Sequence, residues 1–102
     1  MKITLKIDNK DREFATPFIS GRKLRNTFAM SKKVNTTKQD ETMLDEMVNY
    51  IVDIFGNQFT LDQFYDGIEA NKIIPTFTNL VEEIIGTMNN KTEQLAIASK
   101  NA

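Results

Sequence analysis

Asp62 and Asp66 lie four residues apart, a spacing that puts two carboxylates on one face of a helix. Paired carboxylates can serve acid–base chemistry or hold a hard cation. No third ligand, basic partner or glycine-rich phosphate loop accompanies them. Asp62 also falls in a first helical turn, where a negative charge is favourable in any case, so the pair reads as structural. Asp8, Asp11 and Glu13 have the residue types of a calcium loop, but the glycine and terminal glutamate of an EF-hand are not where that loop requires them. They read as a solvated turn. The 102 residues contain no histidine and no cysteine. The commonest general base and metal ligand are thereby excluded, as are disulfides and thiolate sites. Arg22, Lys23 and Arg25 make one segment basic enough for a nucleic-acid surface, yet no aromatic residues interleave with them and no helix-turn-helix spacing is apparent. No P-loop, dinucleotide fingerprint or nucleophile–base pair is present. No enzyme activity and no cofactor are expected.

The elements that carry these residues are legible from periodicity. Ile3, Leu5 and Ile7 alternate with Lys2, Thr4 and Lys6, which predicts a half-buried strand. A polar turn at 8–11 and a second strand from Arg12 to Thr16, with Phe14 inward, complete a hairpin. Such a hairpin must dock on helices or on another chain to be stable. Ser20 is a candidate N-cap for a helix from about Gly21 to Lys32 with Leu24 and Phe28 as its narrow apolar stripe. Residues 31–41 lack periodicity and read as a loop. Leu44, Met47, Val48, Ile51, Ile54 and Phe55 define a central amphipathic helix beginning near Asp40 and Glu41, and Tyr50 and Val52 widen its apolar arc. Gly56-Asn57 stops it, because both tolerate a left-handed backbone. Thr60 and Gln63 then form a capping box, with Phe59 and Phe64 placed as a hydrophobic staple. The third helix is expected over 61–72. Pro75 opens a fourth, whose stripe is Phe77, Leu80, Val81, Ile84, Ile85 and Met88. Gly86 interrupts it, as a close helix contact or as a simple cost in helix propensity.

These elements predict a mostly α (α+β) fold, a short N-terminal β-hairpin followed by about four helices in a small bundle. The chain reads as one domain over 1–90, with the hairpin in 1–16, helices in 20–90 and a flexible tail over 91–102. No apolar run reaches the roughly 18–20 residues of a membrane span, and the N-terminus is not a signal peptide. Net charge is −1 but unevenly placed. Residues 1–38 hold ten Lys/Arg against three Asp/Glu, and residues 39–102 hold three against eleven. A split like this can mark a nucleic-acid face, a complementary partner or head-to-tail self-association, or the halves can neutralise each other on the folded surface.

The stretch Val48-Asn49-Tyr50-Ile51-Val52-Asp53-Ile54-Phe55-Gly56-Asn57-Gln58-Phe59-Thr60, followed by Phe64-Tyr65-Asp66-Gly67 and Ile74-Pro75-Thr76, resembles the tail assembly chaperones of long-tailed, siphophage-type bacteriophages of Gram-positive hosts. The similarity extends upstream through Pro17-Phe18-Ile19 and the basic helix from Arg22, and covers roughly residues 1–90. It implies a non-enzymatic assembly factor of the host cytoplasm. Such a factor binds the tape measure protein, keeps it soluble until the tail tube polymerises around it, and is absent from the mature virion. It further implies a longer frameshifted form that contacts the tail tube protein, with this chain as the short form. Candidate partner contacts are Phe64, Tyr65, Phe77, Leu80, Ile84 and Met88, each with core packing as its rival. Self-association would let many copies coat a long partner. The alternative is a small nucleic-acid-binding regulator using the basic 1–38 segment.

Overall fold

The computed structural model describes residues 1–86. Two antiparallel strands, β1 (Lys2–Ile7) and β2 (Lys10–Ala15), precede α1 (Gly21–Thr36), α2 (Glu41–Ile54) and α3 (Leu61–Gly67). A single 3₁₀ turn, Ala70–Lys72, runs directly into a helix over 73–86, here α4. The expected α+β class, a hairpin followed by four helices, is the observed one. Met88 and the expected tail over 91–102 lie outside the described residues.

The corner between α2 and α3 fixes the direction of both. Gly56 and Asn57 have φ of 68° and 59°. The Gly56 N–H bonds to the Asp53 carbonyl and the Asn57 N–H to the Val52 carbonyl, a Schellman closure that satisfies the last carbonyls of α2. Thr60 Oγ1 accepts from the Gln63 N–H at 3.1 Å, and Gln63 Oε1 accepts from the Thr60 N–H at 2.9 Å. Phe59 and Phe64 stack across this capping box with ring centroids 6.0 Å apart. The Gln58 amide donates to the carbonyls of Phe55 and Ala15, which ties the corner to the end of β2.

The hairpin closes through Asp8 and Asn9, with φ of 53° and 63°, the two left-handed residues of a type I′ turn. The turn is two residues long, so β2 begins at Lys10 and not at Arg12, and Ile7 pairs with Lys10. Ile3, Leu5 and Phe14 bury the inner face, and β1 packs on α3. Phe14 meets Phe59 edge-on at 5.0 Å, joining the hairpin to the corner. A Cβ on Gly67 would lie 2.7 Å from the Lys6 carbonyl oxygen and 3.1 Å from its nitrogen. Backbone cannot yield as a side chain can, so Gly67→Ala is expected to cost about 1–3 kcal/mol, read as a lower urea midpoint.

Three helix boundaries also depart from the sequence reading. α1 continues to Thr36, into the expected loop, because Met30, Ser31 and Val34 keep an inward face that a polar segment conceals. Its buried stripe is also rotated. Thr27 is fully buried, whereas Phe28 points outward and is 47% exposed. α3 stops at Gly67, well short of 72, because Ile68 turns extended (φ −113°, ψ 147°) to pack on the core. α4 starts at 73, two residues before Pro75, which sits in its first turn where no N–H is needed. The central helix matches expectation most closely. Met43, Met47, Val48, Tyr50, Ile51, Val52 and Ile54 are buried on more than one side.

Candidate partner-binding groove

α1 and α2 run antiparallel and are joined by three polar links. Lys23 Nζ donates to Asp53 Oδ1 at 2.9 Å and to the Asp53 carbonyl at 2.6 Å. Lys33 Nζ pairs with Glu46 Oε1. Between them the buried Thr27 and Tyr50 hydroxyls are hydrogen-bonded. Part of the charge opposition between the two halves is therefore closed inside the chain. Thr27 Oγ1 donates to the Lys23 carbonyl at 2.7 Å, so the Tyr50 hydroxyl is the donor to Thr27. Thr27→Val would leave that donor buried without a partner and should cost about 1–3 kcal/mol. Tyr50→Phe leaves the Thr27 bond to Lys23 intact and should cost about 1 kcal/mol. The double variant, measured by denaturant unfolding, should recover part of the Thr27→Val loss.

The opposite side of α2 opens on a groove. One cleft of about 360 Å³ is lined by the apolar Val34, Met47, Ile74, Phe77 and Val81 together with the polar Ser31, Asn35, Gln39, Thr78 and Glu82. A second, of about 190 Å³, is lined by Gln39, Asp40, Met43, Leu44, Met47 and Ile74. Gln39, Met47 and Ile74 belong to both, so the two form one largely apolar trough between the end of α1, the start of α2 and the first turns of α4. Ile74 is 49% exposed within it. Among the described residues, no element lies across the trough. The charged residues of its lining, Asp40 and Glu82, are both acidic.

The sequence-derived contact residues divide into two groups here. Phe64, Phe77 and Leu80 are buried in this chain's own core, and Phe77 also forms part of the trough's floor. Tyr65 and Ile84 are half-buried. Ile74, Met43 and Leu44 were not among the sequence candidates. The signal available for Ile74 is its apolar side chain three residues before Phe77, in helical register with the α4 stripe.

Tyr65 donates to Asp45 Oδ1 at 2.5 Å, tying α3 to α2. Partial burial and then the Asp45 carboxylate push its phenol up to about 12. Burial also raises the Tyr50 phenol. These are the only two tyrosines, and the chain has no tryptophan. Near-ultraviolet titration should therefore show little tyrosinate near the ordinary value of about 10, and Asp45→Asn should bring Tyr65 down. A raised folded-state value means that Tyr65's contribution to stability is complete below about pH 10 and is lost as pH rises towards 12.

Among the described residues, no group of three or more His, Cys, Asp or Glu could hold a metal ion, and Asp62 and Asp66 are both exposed. No helix among them is long and apolar enough to cross a membrane. In comparisons with known proteins, a family model described as phage tail chaperone protein matches residues 1–101. No curated protein and no solved structure matches.

Proposed function

This chain belongs to the phage tail chaperone protein family, and we propose that it keeps the tape measure protein of a long-tailed phage soluble by covering apolar helical stripes with the α1–α2–α4 groove. The observation that carries this reading is the trough around Met43, Leu44, Met47, Ile74 and Val81, whose only charged lining residues among those described are Asp40 and Glu82. From Ile74 to Val81 a helix advances roughly 10 Å, about two turns. A partner helix of matching length presents apolar residues at i, i+3 or i+4, and i+7. Lys or Arg beside that stripe would meet Asp40 and Glu82.

Buried apolar area contributes about 25 cal/mol per Å², so one short contact is weak and reversible. Repetition along a rod-shaped partner multiplies it, and self-association of the chaperone would add to the effect. Weak individual contacts also suit release when tube subunits polymerise around the tape measure. In this reading the chain acts in the host cytoplasm, is absent from the mature virion, and is the short form of a pair whose longer, frameshifted member recruits the tail tube protein. Of the sequence-derived candidates, Phe77 lies in the groove's lining, the half-buried Tyr65 and Ile84 would be secondary contacts outside it, and Phe64 and Leu80 belong to the core. The test is co-expression with the tape measure protein encoded beside it. Tape measure in the soluble fraction only when this chain is present is the expected result. Tape measure that aggregates regardless would overturn the proposal.

A further inference from the structure

A second exposed surface lies on a different face of α1. Phe18 is 88% exposed and Phe28 47% exposed, two of the three large apolar residues left open among the described residues. The linker before α1 turns Ile19 towards the core, and its neighbour Phe18 is left in solvent. On α1, Arg25 precedes Phe28 by three residues and Lys32 follows it by four, so the three share one face. Arg22 lies one turn earlier. Arg22, Arg25 and Lys32 are exposed and make no ion pair among the described residues, unlike Lys23 and Lys33. Gly21–Thr36 contains no acidic residue. Aromatic and basic side chains therefore do interleave here, which the sequence reading did not find, because it placed Phe28 on the inner stripe.

We propose that this face docks an acidic amphipathic helix of a partner protein, its apolar residues on Phe18 and Phe28 and its carboxylates on Arg22, Arg25 and Lys32. Charge complementarity selects the occupant. An exposed aromatic between Arg25 and Lys32, on a helix with no acidic residue, rewards carboxylates beside an apolar stripe. A nucleic acid fits less well. It needs a continuous positive track, and residues 39–102 carry eleven Asp/Glu against three Lys/Arg. A short acidic helix need not cross that acidic remainder. The face is distinct from the groove and carries the opposite charge, so the chain would hold two different segments at once.

The test is fluorescence anisotropy of the intact chain with a synthetic helical peptide bearing Leu at i, i+3 and i+7 and Glu elsewhere. Its Lys-for-Glu counterpart and an oligothymidine of similar length serve as comparators. The Glu peptide should bind best. Phe18→Ser and Arg25→Glu, both at exposed positions, should each weaken it by about tenfold, while Ile74→Asp in the groove should leave it unchanged. Equal binding of the Glu and Lys peptides, tighter binding of the oligothymidine, or indifference to Phe18→Ser and Arg25→Glu would overturn the proposal. So would sedimentation showing that those two substitutions dissolve an oligomer of the chain, since a second copy would then occupy the face. Failure here leaves the groove reading intact, because that reading depends on Ile74 and not on Phe18.

Discussion

Phe64→Ala is expected to lower the unfolding free energy by about 3–5 kcal/mol. The ring is fully buried and sits where three elements meet. It is the staple residue of α3, stacked on Phe59, which in turn contacts Phe55 at 5.5 Å and Phe14 at 5.0 Å. Removing it opens a cavity between the corner and the hairpin, and neither can collapse freely. The Schellman closure and capping box hold the corner, and Gly67 already touches the backbone of β1. Small domains have total stabilities of about 5–15 kcal/mol, so the variant should melt far below the parent or fail to fold. Thermal and urea unfolding followed by circular dichroism measure this. Phe64→Leu, which keeps most of the volume, should cost markedly less.

Ile74→Asp should separate folding from function. The side chain is half exposed, so its loss from the core is small. Position 74 is the second residue of α4, where an aspartate is favoured by the helix dipole. Stability should stay within about 0.5 kcal/mol of the parent. The partner, however, would meet a carboxylate in the middle of a largely apolar trough whose lining already includes Asp40 and Glu82. Retention of the tape measure protein should fall at least tenfold, the loss of one central anchor being worth about 2 kcal/mol or more. Ile74→Leu should retain it. Equal loss with both substitutions would mean that the groove is not the contact.

The parts of this fold that were legible in the sequence are those where a local signal and a tertiary role coincide. Gly56-Asn57, the Thr60–Gln63 box and the Phe59–Phe64 staple are short-range devices, and each is formed as expected. The inward alternation of β1 is equally local. α1 was less legible because its buried centre is a threonine. Thr27 is acceptable there only because Tyr50 and the Lys23 carbonyl satisfy its hydroxyl, and both are non-obvious from spacing. Placing Phe28 inward instead was the cost of ranking residues by hydrophobicity alone. The groove was least legible. A helix stripe does not reveal which of its residues another element covers, so Phe77 and Leu80 were indistinguishable from Ile74 until the packing of α1, α2 and α4 was seen.

In the proposed function, the trough between α1, α2 and α4 covers an apolar helix of the tape measure protein. Amide hydrogen exchange of this chain, alone and co-purified with the tape measure protein, tests it most directly. The account predicts new protection concentrated at residues 31–36, 39–47 and 74–82, retained at high salt. A bound complex with no added protection at 74–82 would contradict it.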